Sequence, residues 1–270
     1  MLAYHDVIGV GGNPDASGFQ GPGPARYKLD WDQFNAHLEA IAAATGRAPV
    51  LASDLIEGRA GADSWSITFD DGGSSSVTIG EELARRGWPG QFFVVSARVG
   101  TPGFLGADGI RALTGMGHVI GTHSVSHPRR MSALPQEELL EEWRGSALAL
   151  EELVGSPVEI GAVPGGYYSR RVARAAAAAG LTALFTSEPV RAVRRVDGCL
   201  VIGRASVHSG TLAARSAELA TGRSLPWQRG RLAWDARKVA KAVGGEAYLK
   251  LRTAALARRR RSTASGKPGS

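Results

Sequence analysis

The stretch Trp65-Ser66-Ile67-Thr68-Phe69-Asp70-Asp71-Gly72-Gly73 runs from apolar and β-branched residues into two carboxylates and two glycines. That order predicts a buried strand ending at Phe69 and opening into a loop. Neighbouring side chains at a strand end point in different directions, so one of Asp70 and Asp71 can hold a cation while the other takes a proton. Further along, His118-Val119-Ile120-Gly121-Thr122 repeats the arrangement, a strand-like run followed by His123-Ser124-Val125-Ser126-His127-Pro128. On a helix the spacing of His123 and His127 would put both rings on one face; Pro128 and the preceding strand favour a tight turn or a short helical turn. Either geometry converges two nitrogens on one ion. Two neutral imidazoles and one carboxylate suit zinc or another first-row divalent cation and leave positions for water and substrate. Such a cation lowers the pKa of bound water toward ~7 and polarises a carbonyl oxygen, while the unbound carboxylate accepts the water's proton. Alone, Asp-Asp-Gly is an ordinary solvated turn and His-x-x-x-His an ordinary surface pair. Their joint position at two strand ends favours a metal site.

The rest of the chain supplies the frame. Strand-like runs fall at 2–7, 65–69, 92–95, 118–122, 158–163, 183–186 and 200–207, with helical stretches at 31–44, 75–86, 107–116, 135–154 and 170–179. Alternation of this kind predicts an α/β domain of parallel strands, with function at their carboxyl ends, where both motifs lie. The Gly- and Pro-rich loop 9–24 either shapes a substrate groove or is a disordered connection. His118 begins its strand at the opposite end and reads as a structural hydrogen bonder; His37, within 31–44, reads as a surface residue. No internal repeat is visible.

Thr68-Phe69-Asp70-Asp71-Gly72 and His123-Ser124-Val125-Ser126-His127-Pro128 resemble the first two motifs of the polysaccharide deacetylases, the NodB-homology or carbohydrate esterase family 4 group. The likeness extends from Leu2-Ala3-Tyr4-His5-Asp6-Val7 to Ile202-Gly203-Arg204-Ala205-Ser206-Val207-His208, and includes a helix between Pro135 and Gly155. The resemblance implies a distorted (β/α) barrel. It also implies that Asp70 is the general base and that Asp71, His123 and His127 are the metal ligands. The family's Arg-x-Pro-x-Gly motif falls on Ala162-Val163-Pro164-Gly165-Gly166, so Ala162 occupies the arginine position and control of the Asp70 pKa must come from another cation or from the metal. Pro164, Gly165 and Gly166 still make a sharp turn, and a backbone N–H near Tyr167 is placed to meet a developing oxyanion. As a generic turn, the same residues would simply pack two aromatics. His208 falls at the position of the family's proton donor, outside the usual Leu-x-His context. An unperturbed imidazole pKa of ~6.5 suits that role; the alternative reading of His208 is an exposed loop histidine. His5 lines the same mouth.

At 270 residues and 43% hydrophobic, the chain can bury a full core. We expect a catalytic domain over 1–220 and a basic, partly helical extension with a disordered end over 221–270. The single Cys199 excludes an intramolecular disulfide framework and reads as a small buried apolar residue. The net charge of +7 is unevenly spread: residues 1–220 hold 19 Lys and Arg against 23 Asp and Glu, and residues 221–270 hold 13 against 2. Trp227, Trp234 and helix-like runs at 232–243 and 246–260 would let the extension dock on an anionic membrane face. The bland reading packs the first run on the barrel and leaves the end solvated; nucleic acid is the weaker partner. Met1 leads straight into Leu2-Ala3-Tyr4 without a basic region and long apolar stretch. The expectation is therefore a cytoplasmic protein, peripheral at the inner membrane face, unless its true start lies upstream.

Together these features predict a zinc-dependent hydrolase that removes an N-acetyl or other N-acyl group from an amino sugar or glycan precursor. Deacylation or deformylation of a non-polymeric amide would use the same ligands. The rival of another class is a non-catalytic glycan-binding barrel, motivated by Ala162.

Overall fold

A computed structural model describes residues 1–61, 63–223, 227, 228, 230–232 and 234. In chain order the elements are β1 (Leu2–Tyr4), β2 (Val7–Ile8), α1 (Pro22–Ala25), β3 (Leu29–Asp30), α2 (Trp31–Thr45), α3 (Ala52–Ile56), β4 (Ile67–Phe69), α4 (Ser76–Arg85) and β5 (Gln91–Val94). There follow α5 (Ala107–Gly115), β6 (Val119–Thr122), α6 (Gln136–Val154), β7 (Ile160–Ala162), α7 (Arg170–Ala178), β8 (Ala183–Thr186), β9 (Arg194–Val196), β10 (Cys199–Gly203), β11 (Ala205–Ser206) and α8 (Ala213–Ala220).

Nine strands form one sheet in the order β11-β1-β4-β5-β6-β7-β8-β10-β9. Every neighbouring pair is parallel except β9 with β10. Strands β1, β4, β5, β8 and β10 are buried along their whole length, as expected where helices cover a parallel sheet. β10 and β11 lie near opposite margins of the sheet, yet only Arg204 separates them in the chain. The sheet therefore curls until those margins meet, which is the distorted barrel. The run 200–207, expected as one strand, is two, because the chain changes partner at Arg204, from β8 to β1.

The helices follow local signals. Asp30 caps α2 by accepting from the Gln33 N–H at 2.8 Å, and Gly46, with φ 60°, ends it. Gly155, with φ 72°, ends α6. One expectation needs correction. His37 is fully buried: its Nε2 donates to the Thr211 carbonyl at 2.9 Å, and its Nδ1 faces Ser216 Oγ at 3.1 Å and Tyr4 Oη at 3.3 Å. The cause is α8, unrecognised in the sequence, which packs along α2 and converts its outer face into an interface. Of the two readings of the loop 9–24, the disordered connection gives way to local structure, a 3₁₀ turn at Pro14–Ala16 and the short α1. His118 behaves as expected, accepting from the Gly90 N–H and bonding the Gly80 carbonyl. Cys199 is buried, and burial pushes its thiol up to about 12.

Among the described residues no helix is long and apolar enough to cross a membrane. Trp227, beyond the boundary expected at 220, is buried and donates from Nε1 to the Leu219 carbonyl at 3.2 Å. Apart from a few residues up to Trp234, the helix-like runs expected at 232–243 and 246–260 lie outside the described residues, as does the basic end.

Candidate metal centre and catalytic carboxylate

Parallel register sets the site. Tyr4 pairs with Phe69, so His5 and Asp70 leave adjacent strands at the same level. Phe69 pairs with Phe92 and Val94 with Thr122, so the acidic turn and His123 emerge from the same end of the sheet. The chain then turns sharply. Asp71 (φ 78°), Ser124 (φ 68°) and His127 (φ 57°) all adopt the left-handed conformation. Non-glycine residues seldom do so, and such conformations cost about 1–3 kcal/mol each and persist where the surroundings enforce them. Here the enforcement includes Ser124 Oγ, which accepts from the His127 N–H at 3.0 Å.

The result brings together three donors expected to share an ion. Asp71 Oδ1 lies 3.4 Å from His123 Nε2 and 3.5 Å from His127 Nε2, and one ligand atom from each residue falls within 4.8 Å of the others. Bond lengths of about 2.0–2.2 Å in tetrahedral geometry need donor separations of roughly 3.3–3.5 Å. His123 Nδ1 donates to the Ala162 carbonyl at 2.8 Å, which leaves Nε2, on the Asp71 side, to bind a cation once it gives up its proton. Donor type, spacing and tautomer thus fit a divalent cation of the zinc class. Burial, the largest influence on His127, lowers its pKa to about 4, so that ring is neutral. Burial also acts to lower His123, but the Asp70 and Asp71 carboxylates outweigh it and raise its pKa.

Asp70 points elsewhere. Its Oδ1 accepts from Arg204 Nη1 at 2.6 Å and its Oδ2 from Arg204 Nη2 at 2.8 Å. Arg204 is completely buried and Asp70 5% exposed. The guanidinium also donates to Thr68 Oγ1 at 2.8 Å and the Thr186 carbonyl at 3.2 Å, and lies against the rings of Phe93 and Phe185. Burial alone would push the Asp70 carboxyl up; Arg204, with His123 and His5, overrides it and holds the pKa below the ordinary carboxylate range. The cation missing at Ala162 is therefore supplied from the β10–β11 junction. Sequence reading passed over it, although a lone Arg inside the apolar run Val201-Ile202-Gly203-Arg204-Ala205 was a signal.

The remaining expected residues follow other strands: His5 follows β1, the 164–167 turn follows β7 and His208 follows β11. His5 contributes to lowering both Asp70 and Asp71, and its ring stacks on Tyr27 at 4.8 Å. Val207 donates to the Ala3 carbonyl, which sets His208 beside the end of β1; its Nδ1 accepts from the Gly210 N–H at 3.2 Å. Pro164–Gly166 form a 3₁₀ turn directly after β7, with Gly165 and Gly166 at positive φ. The Tyr167 N–H closes that turn on the Pro164 carbonyl at 3.4 Å, a long bond.

Two outcomes follow. Replacing Arg204 with Met removes the charge and lets burial dominate Asp70. The acid limb of a kcat/KM profile should then move up toward neutrality, and denaturant unfolding should show a loss of about 3–5 kcal/mol. The sign is that of a depressed carboxylate: the pair's contribution is present above the unfolded value and lost as pH falls through the folded one. An unmoved acid limb in the Met variant would contradict this electrostatic role. Second, because His123 holds its proton above the ordinary imidazole range, zinc titrated into chelator-treated protein should release protons. Its affinity should fall as pH drops and protons compete for His123. Calorimetry in two buffers of different ionisation enthalpy reads this directly, and equal affinity at neutral and acidic pH would sink it.

Residues 57–184 match the family model described as polysaccharide deacetylase. That span includes Asp70, Asp71, His123, His127 and the 164–167 turn, and leaves out His5, Arg204 and His208. Among solved structures, a polysaccharide deacetylase from Bacillus cereus is 18% identical with a TM-score of 0.67, over 81% of this chain and 67% of that one. A Streptococcus pyogenes deacetylase, PplD, is 16% identical with a TM-score of 0.66, over 82% and 96%. IcaB from Ammonifex degensii is 22% identical with a TM-score of 0.64, over 81% and 95%. At such identities the likeness is one of fold. The matched residues carry the acidic turn and the histidine segment, and over that span the chain is similar to the polysaccharide deacetylase family.

Proposed function

We propose that the protein is a metal-dependent hydrolase that removes an N-acetyl group from an amino sugar or glycan precursor. The observation that carries the reading is Asp70, a carboxylate kept ionised by a buried arginine beside a separate Asp71–His123–His127 donor set. When bound, a divalent cation on those donors would lower the pKa of water and polarise the acyl oxygen. Asp70 accepts the proton of the water that adds to the acyl carbon. Collapse then breaks the carbon–nitrogen bond, giving acetate and an amine that must gain a proton. The family position assigns that donation to His208. A second candidate is His5, which acts electrostatically on both carboxylates and follows β1 beside the strand that leads into Asp70. The Streptococcus pyogenes relative was solved with acetate, the product expected of this chemistry.

The non-catalytic rival loses its motive, since the cation absent at Ala162 is present as Arg204. The membrane-facing reading of the extension rests on the charge of 221–270 and on its tryptophans.

Asp70→Asn should abolish acetate release from N-acetylated amino sugars while metal affinity stays within a few-fold of the native protein. Retained turnover in that variant would remove Asp70 from the role of base. For the extension, flotation with anionic vesicles should recover the full chain and lose one ending at Thr221; equal flotation would discard the membrane reading.

A further inference from the structure

The loop between β2 and β3 is built around a buried ammonium. Lys28 is 4% exposed, and its Nζ donates to the Pro14 and Phe19 carbonyls, each at 2.6 Å, and to that of Ser17. Ser17 Oγ donates to Asp6 Oδ1 at 2.6 Å, and the Gly18 N–H to the Gly103 carbonyl at 2.7 Å. A buried ammonium is tolerated only when its donors are met, and here carbonyls of one loop meet them. Residues 14–19 are thus held in one arrangement, and what they deliver is Phe19. Its ring lies 4.7 Å from that of His127 and edge-on to Phe104 at 5.1 Å. Phe19 and Phe104 are half-buried, so part of each ring faces outward at the margin of the metal centre.

Arg98 is exposed, with its guanidinium carbon 5.6 Å from the Phe19 ring and 5.9 Å from that of Phe104. A guanidinium resting on rings uses its faces and keeps its in-plane N–H donors for a ligand. Among the described residues no carboxylate forms an ion pair with Arg98, unlike Arg59, Arg85, Arg86 and Arg111, which pair locally. Pinned aromatic carbon with an adjacent cation suits an apolar sugar face that carries a negative charge.

We propose that Phe19 and Arg98 form a preformed subsite for an anionic saccharide, with a pyranose ring against Phe19 and a phosphate or carboxylate on Arg98. Lys28 is the positioning residue, holding the loop that presents Phe19. The assignment deepens the amino-sugar reading, on which it rests for the choice of sugar, and it names the substrate class as a charged one.

Ligand-observed NMR with the full chain separates binding from turnover in one tube. The probes are N-acetylglucosamine, its 1-phosphate, the corresponding N-acetylated uronic acid and inorganic phosphate. At least one charged sugar should bind about tenfold more tightly than the neutral one. Arg98→Gln should erase that preference, and Phe19→Ala should weaken charged and neutral sugars alike, with melting temperatures close to native. Whichever charged sugar wins identifies the anion. Equal binding of neutral and charged sugars, no saccharide binding, or phosphate alone binding as well as the sugar phosphate would each overturn the subsite. Failure of the hydrolase reading would show separately, as binding without acetate release.

Discussion

The buried pair between Arg204 and Asp70 is the constraint around which the molecule is organised. It sits where the two margins of the curled sheet meet, and its donors reach β4 through Thr68, β8 through Thr186 and the acidic turn through Asp70. A guanidinium in that position is costly to desolvate and is tolerated because its fork is matched by a carboxylate with both oxygens in reach. Closure of the barrel and ionisation of the proposed base are therefore one interaction. Loss of either charge would leave the other stranded in an apolar interior lined by Phe93 and Phe185.

Charge at the centre is divided with little distance between unlike roles. Asp70 faces a permanent cation, whereas Asp71, its neighbour in sequence, faces two imidazoles. The left-handed backbone at Asp71 sends the two carboxylates apart, and the same conformation at His127 brings its ring back toward Asp71. Those strained residues are held by rigid neighbours: β4 and β6 behind them, the Ala162 carbonyl on His123 and Ser124 Oγ on the His127 backbone. Strain of this kind serves a binding site, since it holds Asp71 Oδ1 within 3.5 Å of both imidazole nitrogens.

The sequence carried much of this where the relevant signal was local. A β-branched run ending in Asp70-Asp71-Gly72 and another ending in His123 place both motifs at strand ends, and the parallel register then brings them together without further information. His118 and Cys199 were also legible, because strand position and residue type settle their environment. His37 was not: its exposure depends on α8, which lies far along the chain and gave no strong periodic signal. Phe19 had no local signal either, since the loop is shaped by Lys28 and Asp6 from outside the segment itself.

By itself, then, the sequence determined the α/β frame, the two acidic residues, the two histidines and the vacancy at Ala162, all of which are properties of short segments. Only the tertiary structure decided that Arg204 fills that vacancy, that His5 acts electrostatically on both carboxylates, and that Phe19 packs against His127. The physical reason is that a pKa and a packing contact depend on through-space neighbours. The curl of a nine-stranded sheet brings residue 204 beside residue 70, and no rule of sequence spacing encodes that adjacency.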